Sequence, residues 1–248
     1  MTLNKKQTRL FVLSPLFIII LLISACASSG KQALRSGGSP LAIVSVAANY
    51  DINWKGQDQT IESFSGRVIQ RMRRVDPDWE IITKSDSVIN ELEKVIRDTL
   101  GVSPLFTLAS KEETLNAPSY MNARLNKLQI DKEMIQSEGY RMVHYGDKNF
   151  PPAFAKETGI NKILFITLNL TKSMRSGFGK NGTAQAEVAM TVRALDSGGK
   201  TLFHKTYELK SLDGIPVTSG SYSRTELLAL FPPTVADLCY LFLDDLAN

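Results

Sequence analysis

The clearest pattern in the chain is an alternation of apolar and polar positions from Thr183 to Leu195. Ala184, Ala186, Val188, Met190 and Val192 fall on one parity, with Gln185, Glu187, Thr191 and Arg193 on the other. A period of two sends these sets to opposite faces of a half-buried antiparallel strand. Asp196-Ser-Gly-Gly-Lys200 supplies turn chemistry. Thr201 to Lys210 then returns, with Phe203, Lys205, Tyr207 and Leu209 opposed to Leu202, His204, Thr206 and Glu208. This predicts a long antiparallel hairpin, whose second arm has a less clean inward face because Lys205 stands among its apolar positions.

Other elements follow from period and punctuation. Leu41 to Ala48 is a nearly continuous apolar run with β-branched residues, the signature of a strand covered on both faces. Asn49 to Gln59 is polar, and Ile61 to Arg74 has the spacing of a basic amphipathic helix. Trp79 to Thr83 reads as a short strand. Ser85 or Ser87 caps a helix carrying Ile89, Leu92, Ile96 and Leu100, with Gly101 as its stop. Between 103 and 153 the pattern is weaker: Tyr120, Arg124, Leu125 and Leu128 suggest a helix and Tyr140 to Tyr145 a strand. Pro151-Pro152 opens a helix that Gly159 ends, and Lys162 to Thr171 follows as a strand. Ser223-Arg-Thr-Glu226 is a capping box, and Pro232-Pro233 starts a last helix with Val235, Leu238, Cys239, Phe242 and Leu246 on its core side. The predicted fold class is α/β (α+β): a mixed sheet with a long antiparallel hairpin and helices packed mainly on one face.

The N-terminus has a different pattern. Lys5, Lys6 and Arg9 precede an apolar run from Leu10 to Leu22, a signal-peptide profile too short to favour a spanning helix. Ile23-Ser24-Ala25-Cys26 resembles the bacterial lipobox, in which a branched residue and two small residues flank the peptidase cut and the cysteine thiol accepts diacylglycerol. Two or three acyl chains hold a protein on a bilayer, since each buried methylene contributes about 0.8 kcal/mol. Ala27 and Ser28 stand where an aspartate would favour the inner membrane, so the expected location is the outer membrane, facing the periplasm. The organisation expected is a signal peptide at 1–25, a lipidated flexible tether at 26–40 and one domain at 41–248, because the tether is small, polar and glycine-containing.

Composition adds exclusions. The formal charge is +4, of which Lys5, Lys6 and Arg9 supply three, so the remainder carries +1 and nucleic acid gains no support. Lipidation of Cys26 leaves Cys239 alone, without an intramolecular disulfide partner.

Leu41 to Ala48, the helix-glycine-strand run from Phe154 to Thr167 and the hairpin around Asp196 to Lys200 together resemble the periplasmic α/β domains of the CsgG, LpoB and TolB N-terminal type. The lipobox-to-strand start is similar to lipoproteins of spirochaetes and Bacteroidetes. The resemblance implies a role in regulating or assembling envelope machinery through protein contacts. The polar stretches at 49–60 and 103–150 depart from the simplest form of that fold.

No motif names a reaction. Gly177-Phe-Gly-Lys-Asn-Gly182 fits the dinucleotide fingerprint, but a strand follows where a helix N-terminus must receive the pyrophosphate. Ser197-Gly-Gly-Lys-Thr201 lacks the first glycine of a phosphate loop, since Ala194 stands there. His144 and His204 have no metal-site spacing. Cys239 lies on an apolar helical stripe, where a buried thiol is inert.

The expectation is therefore a non-enzymatic lipoprotein with no cofactor or metal, bound to the membrane by its anchor and to an envelope protein through its domain. A polar hairpin face bearing Glu187, Arg193 and His204 is the candidate partner surface, and Arg67, Arg71 and Arg74 on one helix face the next. The alternative is a lipid-binding or membrane-perturbing lipoprotein that uses its amphipathic helices. A pore is disfavoured, because helix packing claims the apolar positions a spanning hairpin would need. A dispersed hydrolase site finds no recognisable nucleophile.

Overall fold

The computed structural model describes residues 29–35, 40–55, 83–128, 134–178 and 181–248. A helix at 29–35 (α1) precedes β1 (Leu41–Asn49), β2 (Asp51–Trp54), β3 (Thr83–Lys84), α2 (Ile89–Gly101), α3 (Lys111–Leu115) and α4 (Pro118–Met121). Then follow β4 (Met134–Gln136), α5 (Phe150–Thr158), β5 (Lys162–Phe178), β6 (Asn181–Asp196), β7 (Thr201–Lys210), β8 (Ile215–Val217), α6 (Arg224–Ala229) and α7 (Phe231–Ala247).

The sheet is mixed, as the patterning predicts, and has eight strands among the described residues. β5 and β6 form its spine, antiparallel from Lys162↔Asp196 to Phe178↔Asn181. β1 and then β2 run parallel to β5 along its other side. β7 and then β8 pair with β6 along the opposite edge. The two glycines at the ends of the fingerprint-like motif, Gly177 and Gly182, face one another across the β5–β6 hairpin, so no helix receives a phosphate there.

Parity along the strands sorts the core into two layers. On the first face, Ala184, Ala186, Val188, Met190, Val192 and Ala194 of β6 join Leu164, Ile166, Leu168 and Leu170 of β5 under α2 and α7. The apolar stripe of α7, Val235, Leu238, Cys239, Phe242 and Leu246, is buried as its spacing predicts. Phe242 meets Phe203 and Tyr207 edge-on, at ring distances of 5.4 and 6.3 Å. Lys205, the odd residue of that face, is accommodated because its ammonium reaches past the rings to Asp245, 2.9 Å away. The run Arg224–Ala247 is long and apolar enough to cross a membrane, but in this fold its stripe lies against the sheet.

The two longest described helices thus share one face. A thinner second layer covers part of the other: Tyr120, Val143, Phe150, Phe154 and Ile160 pack on Ala42, Val44, Ile163, Phe165 and Leu195. Pro at the first turn starts α5, and Gly159 ends it at φ 74°, a left-handed cap that glycine adopts without strain.

Several expected elements differ. The tether boundary moves, because residues 29–35 form α1 and bury Leu34 in the main core. A Cβ on Gly30 would stand 2.0 Å from the Leu202 carbonyl oxygen, so only glycine allows α1 to approach β7 this closely. Lys31 pairs with Asp245 at 2.9 Å, and Arg35 donates to the Ala247 carbonyl at 2.8 Å. The helix expected around Tyr120 to Leu128 is interrupted: Tyr120 and Met121 close α4 and Lys127 and Leu128 are helical again, while Leu125 between them sits in an isolated bridge to Val143. That bridge is all that forms of the strand expected at Tyr140 to Tyr145. The Ser223 side chain accepts from the Glu226 amide, as the capping box predicts. The helix expected at Ile61 to Arg74, with Arg67, Arg71 and Arg74, lies outside the described residues, as do the lipobox residues Ile23, Ser24, Ala25 and Cys26.

Candidate functional site

The second layer stops short. Beyond the rows that pair Ile163 with Leu195 and Phe165 with Arg193, the sheet continues with no helix over it among the described residues, and the residues on that side are polar apart from Ala189. β5 contributes Thr167, Asn169 and Thr171; β6 contributes Ala189 and Thr191; β7 contributes Thr206, Glu208 and Lys210, and none of these is buried. Cross-strand registry fixes the rows: Thr167 faces Thr191, which faces Thr206, and Asn169 faces Ala189, which faces Glu208. The open face is therefore a rigid polar platform set by strand parity, with its other side anchored in the main core.

Glu187, Arg193 and His204 all lie on this side, but they form two separate sites. Six residues along one strand place Glu187 about 20 Å from Arg193.

The Glu187 end is a groove of about 490 Å³ lined by Trp54, Lys55, Asn169, Thr171, Glu208 and Lys210, among others. The expectation that Glu187 is an exposed contact residue is corrected: it is 4% exposed. Its carboxylate takes Lys55 at 2.6 Å and Lys210 at 2.8 Å, and accepts from the Ser173 hydroxyl. Burial alone would raise its pKa, but the hydrogen bonds from Lys210, Lys55 and Ser173 outweigh that and hold it at about 2. Lys210 is its registered cross-strand neighbour, whereas Lys55 arrives from the end of β2. Glu187 thus organises the groove floor and leaves the two lysine stems at the rim.

The other end lies where the second layer ends. His204 faces Arg193 across the β6–β7 ladder. The Arg193 guanidinium stacks over the Tyr145 ring, 4.1 Å from its centroid, with Nη2 3.2 Å from His204 Nε2. Burial, and then the Arg193 charge, lower the His204 pKa and favour the neutral ring. His144 stacks on Tyr145 at 5.3 Å. A cavity of about 100 Å³ opens here, lined by Ser45, Thr167, Thr191, Arg193 and His204 with Tyr145, Val143 and Phe165.

Sequence reading does not find Lys55, Ser173, Tyr145 or the threonine rows. The β5 residues carry a signal, since Thr167, Asn169 and Thr171 alternate with Ile166, Leu168 and Leu170. Lys55 and Tyr145 carry none, because they reach the site from distant, irregular segments. Among the described residues no cluster of three or more His, Cys, Asp or Glu has the arrangement of a metal site.

Cys239 is fully buried on α7, and burial pushes its thiol up to about 12. A water-soluble thiol reagent is expected to label it only at the rate of global or local unfolding, so labelling accelerates with denaturant. Stoichiometric labelling of the native protein within seconds would contradict that burial.

No family and no curated protein matches this chain. Among solved structures it is similar to the LpoB C-terminal domain from Salmonella enterica, at 11% identity over 74% of this chain and 93% of that one, with a TM-score of 0.29.

Proposed function

We propose that this chain is a lipid-anchored, non-enzymatic protein of the outer membrane whose α/β domain holds another envelope protein on the open half of its polar sheet face, in an assembly or regulatory role. Acylation of Cys26 supplies the anchor in this reading, and no cofactor is required. The observation that carries it is the platform itself. One half of the second sheet face is covered by its own small layer, and the other half presents fixed rows of threonine, asparagine, glutamate and lysine beside a groove of about 490 Å³. Open antiparallel sheet faces and rigid polar rows suit protein contacts, which use hydrogen bonds at fixed spacing. Membrane perturbation by amphipathic helices is less favoured, since α2 and α7 bury their apolar stripes on the opposite face.

Photo-crosslinking in intact envelopes tests this. A crosslinker at Asn169 or Glu208 is expected to trap one discrete partner, while one at Glu91, exposed on α2 across the sheet, traps none. Cys26→Ser is expected to move the protein out of the membrane fraction and abolish the adduct. Equal crosslinking from both faces, or unchanged fractionation of Cys26→Ser, would defeat the reading.

A further inference from the structure

Among the described residues, Arg193 is a cation without an anion: no carboxylate lies within ion-pair distance of it, and its neighbours are the Tyr145 ring beneath it and the His204 ring beside it. Arg193 Nη2 lies 3.2 Å from His204 Nε2 and 3.5 Å from Nδ1, too close to both ring nitrogens to lie along either lone pair, so the guanidinium keeps its N–H donors. Burial and the Arg193 charge favour the neutral His204 ring, so the pair holds one positive charge. Tyr145 lies under the guanidinium carbon at 4.1 Å and, apart from the His204 ring, no hydrogen-bond acceptor among the described residues engages the guanidinium, so its N–H donors can meet a carboxylate.

The cavity beside it sets hydroxyl groups next to the guanidinium. Ser45 is 3% exposed, and its oxygen already accepts from Gln136 Nε2 at 3.2 Å, so its own proton is available. Thr167 stands in the next row, half-buried, with its hydroxyl on the same side. Thr191 shares a hydrogen bond with Thr206 at 2.8 Å, which steadies that wall. A space of about 100 Å³ has the size of a single oxyanion group rather than a metabolite.

We infer that this cavity is a carboxylate-binding subsite, which takes an Asp or Glu side chain, or the terminal carboxylate, of the partner that docks on the platform. The inference rests on the proposed protein-binding role for the identity of the macromolecule, but the anion chemistry stands on its own. A single net charge matches a carboxylate better than a dianionic phosphate, whose second charge would go uncompensated.

The test uses the two histidines as reporters, because a full-length protein with only His144 and His204 gives two ring signals. The detergent-solubilised protein is titrated at pH 7 and constant ionic strength with N-acetylglutamate amide, with inorganic phosphate and with chloride, following the ring resonances by NMR. His144→Gln assigns them. A saturable shift of the His204 signal with the glutamate derivative is expected, in the millimolar range for one isolated group. Phosphate should bind at least several-fold more weakly and chloride not at all. Arg193→Gln should abolish the shift, and Thr167→Val, at a half-exposed position, should weaken it a few-fold while leaving the melt unchanged. Absence of a saturable shift in the parent, an equal shift in Arg193→Gln, or tighter binding of phosphate would each overturn the assignment. The crosslinking experiment is independent: a trapped partner with no His204 shift would leave the platform reading standing and remove only this subsite.

Discussion

Glu187→Gln is expected to destabilise the protein by about 2 kcal/mol at pH 7, as the centre of a buried charge cluster is removed and two ammoniums are left facing a neutral amide. The cost stays below that of a wholly buried pair because the Lys55 and Lys210 side chains are 56% and 59% exposed and regain water. The pH dependence carries the diagnosis. In the folded protein the carboxylate titrates at about 2, against 4.5 when unperturbed. A depressed folded pKa means that the ionised form stabilises the fold. That contribution is complete above about pH 4.5 and is lost as pH falls toward 2. Denaturant melts of wild type and Glu187→Gln should therefore diverge at neutral pH and converge near pH 2. A gap that stays constant across that window would mean that packing, not the charge network, holds this end of the platform. Arg193→Glu, by contrast, removes a stack at a half-exposed site and should cost about 1 kcal/mol.

A protein beginning at Leu41 is expected to melt about 4 to 8 °C below one beginning at Ser29, corresponding to about 2 kcal/mol for a domain of this size. Leu34 is 1% exposed, and removing it takes a fully buried side chain out of the main core at a cost of about 2–3 kcal/mol. The partly exposed pair between Lys31 and Asp245 adds less than about 1 kcal/mol. Against these stands the entropy recovered when seven residues need not be ordered, which keeps the net effect modest. Leu34→Ala in the longer protein should reproduce most of the loss, and Gly30→Ala should act similarly by pushing α1 off the Leu202 carbonyl. Identical melts for the two lengths would show that α1 does not hold the fold together.

These expectations mark where sequence pattern stops carrying information. The strands β5, β6 and β7 are legible because each is long enough for its parity to repeat, and parity decides which face a residue takes. It does not decide what covers that face. Glu187 falls on the polar side of β6 as expected, yet it is buried, because Lys55 is contributed by a segment 132 positions earlier in the sequence. His204 reads as lying on the polar face across from Glu187 or Arg193, and it is Arg193 that it meets; counting out from the turn would pair Arg193 with Phe203, but a bulge between Ala194 and Leu195 shifts the register by one residue. Their partner Tyr145 comes from an irregular stretch with no period to read. The short strands β2, β4 and β8 escape pattern for the same reason: three or four residues do not display a periodicity. Leu34 reads as part of a tether because one leucine in a seven-residue helix has no repeat, and its burial depends on the close approach that Gly30 permits.

The docking of α1 also sets how far the domain can stand from its anchor. The described residues begin at Ser29, with Ala27 and Ser28 between it and Cys26 in sequence, and three residue steps span about 10 Å at full extension. If Cys26 is acylated as proposed, the domain rests against the headgroups instead of ranging through the periplasm on a leash. α1 and the neighbouring end of α7 are then the parts nearest the lipid, and the search volume open to the polar platform is a shallow layer over the bilayer. A partner would have to present its own contact surface at that height, which favours one that is itself embedded in or seated on the same membrane.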